Sequence, residues 1–310
     1  MQDKKNSKNS FPIRIATRKS ELAMAQAKQV GDLIASSRVE FVGLSTPGDT
    51  SLSKPLNEIG GKGVFIKTLE QALLSGKADC AVHSLKDMET QVAPDTYIVS
   101  MLPREDPRDA IIGASGIDEL PINAKVGTAS VRRKAQLLKY RPDLEIKLLR
   151  GNINRRIDCL ERNEYDAIIL AVAGLKRLQL DIAYTPIDIN KMPPAASQGT
   201  IAVQISQNHP NHSFVRELFS QLHCYSTGLC SIAERAVLSY LDGSCRTPIS
   251  AYAHIDQSYK LHLQAHIYTS NGEESYSSFA FDEPKNAQNL GIKIAKDLLL
   301  KCGGSSFIER

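Results

Sequence analysis

Residues 78–87 read ADCAVHSLKD, a run that alternates small and apolar side chains and then ends on a lysine and a carboxylate. This pattern predicts a buried strand that delivers charge to its own C-terminal edge. In open α/β sheets that edge is where ligands bind, because the loops there line the crevice between sheet and helices. Lys86 and Asp87 are therefore candidates for chemistry, although the same pair could equally be a strand end turned to water.

Working back from this stretch, residues 11–17 (FPIRIAT) read as a strand. Residues 20–36 follow as a helix with an N-cap at Ser20 and apolar repeats at Leu22, Ala23, Ala27 and Val30. A second strand is expected over 39–44. A Gly-, Pro- and Ser-rich loop follows over 46–65, and a helix over 65–75 leads into the opening stretch.

Working forward, charges and prolines at 102–114 (LPREDPRDAIIGA) suggest a crossing into a second domain. That domain repeats strand–loop–helix units: strands at 125–128 and 146–149, helices at 131–140 and 153–163 with Ser130 as a cap, and a wholly apolar strand at 165–172 that suits the centre of a parallel sheet. AGLKRL after it reads as a loop, and 181–200 as irregular. A strand at 201–205 is placed to return to the first sheet. A third domain holds a helix over 231–241, the turn DGSCRTP (242–248), strands at 249–255, 259–270 and 277–281, and a closing amphipathic helix over 286–301.

The arginines carry a second signal. Arg132 and Arg133 stand in the first turn of one predicted helix and Arg156 near the start of the next, while Arg18, Arg150 and Arg177 follow strands. Cations at a helix N-terminus cost about 0.3–1 kcal/mol each against the macrodipole, so something anionic is expected opposite them. Helix N–H groups and arginine forks together match carboxylates. The residues by themselves thus predict a cleft between two α/β domains that takes an organic polyanion, with Asp87 as the lone carboxylate facing it.

Composition limits the alternatives. The chain has 310 residues, 42% hydrophobic and 23% charged, with net charge +4 and pI near 8.6. That length suggests two or three domains, and no dense basic run marks a nucleic-acid surface. The first ten residues lack an apolar core for a signal peptide, and no stretch suits a bilayer span, so a soluble cytoplasmic protein is expected. The six cysteines show no CxxC pair and no matched histidine spacing, which argues against a zinc site. Cys245, beside Arg246 in the 242–248 turn, is the most reactive thiol on this reading. A non-catalytic binder of organic anions and a nucleic-acid binder using the arginine-bearing helices both remain open from the residues alone.

Taken together, RIATRKS (14–20), GGKGVFIK (60–67), AVHSLKD (81–87), REDPRDA (104–110), GTASVRR (127–133), LRGN (149–152), YDAIILAVAGLKRL (165–178), QG (198–199) and GSCRTPI (243–249) resemble the hydroxymethylbilane synthase (porphobilinogen deaminase) family over nearly the whole chain from Ile13. The resemblance implies two periplasmic-binding-protein-like (type II) α/β domains plus a small C-terminal α+β domain. Their limits would be 1–101 with 200–221, 102–199, and 222–310. It implies a dipyrromethane cofactor on Cys245 through a thioether, and Asp87 as the catalytic carboxylate. Lys86, Ser84, Thr128, Ser130, Arg132, Arg133 and Arg156 match cofactor-side positions, and Arg18, Ser20, Arg150, Arg177, Gln198 and Phe65 match substrate-side positions. The implied reaction condenses four porphobilinogen molecules head to tail with loss of ammonia, then hydrolyses the product from the enzyme. The implied enzyme is a monomer with no nucleic-acid or membrane partner and no metal. Glu21 and Glu89 stand where prolines are common in the family, and Ser197 replaces a frequent glycine.

Overall fold

A computed structural model of the chain describes residues 12–34, 38–46, 66–241 and 247–307. Most of the expected loop at 46–65, including Phe65, and Cys245 with its turn at 242–246 lie outside the described residues. The first sheet begins with β1 (Ile13–Arg18), whose Ile13 and Ile15 are buried. It leads into α1 (Glu21–Leu33), where the Ser20 hydroxyl accepts from the Ala23 N–H and Ala23, Ala27 and Val30 face the sheet. Next come β2 (Val39–Leu44), α2 (Lys67–Leu74) and β3 (Cys80–Ser84), all of whose residues but Ser84 are buried. A 3-10 turn, Leu85–Asp87, ends that strand, and β4 (Thr96–Met101) follows.

The chain then crosses to the second sheet: β5 (Asp109–Ile112), β6 (Lys125–Gly127), α3 (Val131–Tyr140), β7 (Glu145–Lys147), α4 (Ile153–Glu161), β8 (Ala167–Ala171), α5 (Val172–Arg177) and the two-residue β9 (Thr185–Pro186). Two expectations need correction. AGLKRL is the body of a short helix, α5, because residues 172–175 are buried and make a helix the compact way to turn back under the sheet. The apolar strand β8 is central, but the sheet is mixed: β6 pairs with it in parallel and β5 antiparallel. Burial on both faces explains the apolar run without requiring all-parallel neighbours.

After β9 the chain returns through β10 (Ile201–Ser206), fully buried and antiparallel to both β3 and β4. The strand orders are β2-β1-β3-β10-β4 and β7-β6-β8-β5-β9. In each lobe three parallel strands are followed by one antiparallel strand, and each antiparallel strand enters from a crossing: β5 after β4, β10 after β9. This repeated order is the binding-protein-like α/β architecture expected from the sequence.

The remaining elements are α6 (His212–Ser220), α7 (Tyr225–Tyr240), β11 (Ile249–Ile255), β12 (Leu261–Tyr268), β13 (Ser275–Asp282) and α8 (Ala287–Cys302). Alternate residues of the antiparallel sheet β11-β12-β13 pack on α7 and α8 to form a separate core. Gly291 of α8 is required there, since a Cβ would lie 2.3 Å from the Ala233 carbonyl oxygen of α7.

One buried ion pair ties this unit to the crossings. Glu234 of α7, with its side chain fully buried, accepts from Arg104 at 2.6 Å and from the backbone N–H groups of Ser197 (2.5 Å) and Ala253 (2.7 Å). Arg104 also donates to the Gln198 carbonyl at 2.8 Å. Ser197 takes the left-handed conformation at φ +61°, where a glycine would be unstrained, and its N–H is held by that carboxylate. Arg104→Leu strands a buried charge and is expected to cost about 3–5 kcal/mol of stability. A lowered midpoint of urea unfolding checks this.

Candidate functional site

Each α/β lobe sends its strand ends toward a shared cleft of about 760 Å³. From the first lobe come Arg18 and Ser20 at the β1–α1 junction, and Ser84, Lys86 and Asp87 at the end of β3. From the second come Arg133 of α3, Arg150 and Arg156 flanking the start of α4, and Arg177 at the end of α5. Helix capping fixes several of these positions. The Ser130 hydroxyl accepts from the Arg133 N–H at 3.4 Å, and the Thr128 hydroxyl accepts from the Ser130 N–H at 3.2 Å. Thr128 and Ser130 therefore shape the start of α3. Asn152 caps α4 through the Arg155 N–H, and Arg156 Nε donates to the Gly151 carbonyl at 2.9 Å. Arg177 donates to the Gly199 carbonyl at 2.6 Å. Glu21 also lines the cleft and accepts from Asn154 of the opposite lobe.

The expectation of Asp87 as the lone carboxylate facing the cleft is corrected by Glu21 and Asp158, which line it too, and a further acid, Asp109, the first residue of β5, lies fully buried beneath the arginines. Arg132 donates to its Oδ2 at 2.8 Å, and Arg133 to its Oδ1 at 2.7 Å. Burial pushes the Asp109 carboxyl up, but the two guanidiniums outweigh it and hold it well below the usual carboxylate range. Arg132 is turned inward: it also donates to Gln136 and to the Pro193 carbonyl and is not among the cleft-lining residues. Arg133, held by Asp109 and by the Ile169 carbonyl, does reach the cleft. An internal anion thus answers the unfavourable helix-start charge.

Gln198, expected on the substrate side, sits behind the cleft instead, with 1% of its surface exposed. Its amide nitrogen donates to the Pro107 carbonyl (2.7 Å) and Asp109 (2.8 Å), and its oxygen accepts from the Lys86 ammonium at 3.1 Å. It therefore links the lysine of one lobe to the carboxylate of the other. Gln26, which sequence reasoning passed over, exchanges hydrogen bonds with the Ser84 hydroxyl at 2.8 and 3.0 Å. Its signal was a polar residue on the apolar face of α1; that of Asp109 was an acid opening the apolar strand DAII.

Among the described residues, eight lysines and arginines line the cleft against three acids, Glu21, Asp87 and Asp158. Burial, then the charge of Arg133, lowers the pKa of Lys86 to about 8. Burial, then Arg133 and Arg150, lowers that of Arg156 to about 10, and burial lowers that of Arg177. These cations repel one another in a partly desolvated space. A polycarboxylate would relieve that cost.

Residues 13–213 match the family model described as porphobilinogen deaminase, dipyromethane cofactor binding domain, and residues 228–300 match that of the porphobilinogen deaminase C-terminal domain. The chain belongs to the porphobilinogen deaminase family. It is a transferase with hydroxymethylbilane synthase activity in tetrapyrrole biosynthesis, and its cofactor is dipyrromethane. The donor set described above fits that group, whose acetate and propionate arms are anions. Among solved structures, the chain is similar to the ligand-binding component of an ABC-type import system from Staphylococcus aureus (13% identity, 72% of this chain and 76% of that one, TM-score 0.43). It is also similar to a periplasmic binding protein of high arginine specificity from Salmonella typhimurium (12% identity, 69% and 92%, TM-score 0.38).

The Lys86 ammonium is charged below its pKa of about 8, so raising the pH through that value removes one cation from the cleft. Affinity of the apo chain for a benzene polycarboxylate should therefore fall above pH 8, while Lys86→Arg should hold its affinity to higher pH. Calorimetric titration across that range checks both.

Proposed function

We propose that Asp87 is the catalytic carboxylate and that Cys245 carries the dipyrromethane through a thioether. The supporting observation is the placement of Asp87 at the end of β3, in a cleft whose other charged groups are mostly cations. Lys86, Ser84, Arg133 and Arg156 hold the carboxylate arms of the cofactor, with Thr128 and Ser130 shaping the helix start that presents Arg133. Arg132 and Gln198 act from behind, by fixing Asp109 and Lys86. Arg18, Ser20, Arg150 and Arg177 take the arms of the incoming porphobilinogen, with Phe65 assigned to the same side. On this reading the chain divides into domains of 1–101 with 200–221, 102–199 and 222–310, and works as a cytoplasmic monomer without nucleic-acid or membrane partners.

When bound, the dipyrromethane supplies the free pyrrole α-carbon at which chain growth begins. Porphobilinogen would lose its protonated aminomethyl group as ammonia, leaving a methylene-pyrrolenine cation; attack on it by a pyrrole α-carbon would form the new carbon–carbon bond and move the positive charge to the attacking ring, which regains aromaticity by releasing its α-proton. Asp87 accepts a hydrogen bond from ring N–H in both states and stabilises the charge where it develops. Arginines alone would disfavour those cations, so the acid must lie close to the reacting rings while the guanidiniums stay on the carboxylate arms. Held at fixed positions in both lobes, the arms align the reacting carbons and reduce the entropic part of the barrier.

Asp87→Asn keeps the size and loses the charge. It is expected to fold and to lower turnover by about two to four orders of magnitude, measured as bilane formation. The intact mass of active enzyme should exceed the sequence mass by two linked pyrrole units, located on the peptide containing Cys245. Cys245→Ser should lack this mass and be inactive, whereas Cys224→Ser should retain both mass and activity. Full activity at the unmodified mass would rule out the attachment.

A further inference from the structure

Arg235 of α7 follows Glu234 directly, yet it points to a different lobe. Its guanidinium donates to three consecutive backbone carbonyls: Met88 at 3.3 Å, Glu89 at 2.5 Å and Thr90 at 3.2 Å. These residues immediately follow the Leu85–Asp87 turn. Burial lowers the pKa of Arg235 to about 10, with the Glu89 charge acting in the opposite sense. A cation withdrawn from water and bound mainly to peptide oxygens does little for charge balance, but its planar fork fixes the orientation of the peptides it grips.

Upstream, the same turn is fixed by the sheet. The Leu85 N–H donates to the Thr200 carbonyl at 2.9 Å, and Leu85 is fully buried. The Met88 N–H closes the turn on the Leu85 carbonyl at 3.1 Å. Asp87 therefore lies between a backbone fixed by β10 and a backbone held by Arg235. The helix that carries Arg235 ends at Tyr240, five residues before Cys245 in the chain. The helix thus grips the segment that follows Asp87.

We propose that Arg235 is a positioning residue, setting where Asp87 stands in the cleft by holding the carbonyls of residues 88–90. It rests on the reading of Asp87 as the catalytic carboxylate. A displacement of about 1 Å can cost on the order of 100-fold in rate, so this grip bears on turnover more than on substrate capture.

The test uses the holoenzyme. Arg235→Gln, carrying its cofactor by intact mass, is expected to lose about 10- to 100-fold in kcat with KM within about twofold of wild type. Arg235→Lys, which keeps the charge and loses the fork, should lose about three- to tenfold and serves as the test if the glutamine variant does not fold. The Asp87→Asn/Arg235→Gln double variant should be no slower than Asp87→Asn alone, because the positioned group is already gone. A cofactor-loaded Arg235 variant with kcat within twofold of wild type overturns the proposal, as does a double variant whose losses multiply. Normal turnover in Asp87→Asn would instead remove the underlying reading, so the two failures are distinguishable.

Discussion

The buried carboxylate of Asp109 is the interaction on which the site depends. It satisfies two guanidiniums that begin a helix against its dipole, and through Gln198 it reaches the Lys86 ammonium. Arg132 is committed wholly to this internal role, whereas Arg133 is held by it and still faces the cleft. A buried charge pair is weak evidence for net stability, because the desolvation cost is comparable with the Coulombic gain. Its return here is geometric: the direction of Arg133 and the height of Lys86 are fixed by groups that no ligand supplies.

The crossings between the lobes carry this network. Asp109 opens the strand reached from the first lobe, and Gln198 lies just before the strand that returns to it. Gly199 can turn between them because it adopts φ +92°; a Cβ there would lie 2.3 Å from the Glu105 carbonyl oxygen. Arg104 and Glu234 then fasten the same crossings to α7. The three units thus meet along a set of hydrogen-bonded charges behind the cleft.

An excess of cations in a partly desolvated cleft is costly to the protein alone and suited to a product that gains carboxylates with every ring. Burial and neighbouring arginines push the Lys86 and Arg156 pKa values down, and burial does the same at Arg177. On the proposed reading the acid at Asp87 has the opposite task, since the reacting rings become cationic. One cleft then has two electrostatic duties on that reading: arginines for the arms, a carboxylate for the ring.

Much of this was legible in the chain itself. Alternating apolar runs mark β1 and β3, an unbroken apolar run marks β8, cap residues place α1 and α3, and a strand over 201–205 is placed to return to the first sheet. The charged strand ends named most of the charged groups that line the cleft, because loops after parallel strands converge on one edge whatever the detailed packing. The sequence could not tell which arginine turns inward, since Arg132 and Arg133 are neighbours in the chain and differ only by about 100° around a helix. Nor could it show Asp109 beneath them, 23 residues away, Gln198 acting as a bridge rather than a ligand, or Arg235 holding the segment after Asp87. Those assignments depend on pairings between distant segments. Local propensity records the period of an element; which polar groups meet when elements pack is decided only by the tertiary structure.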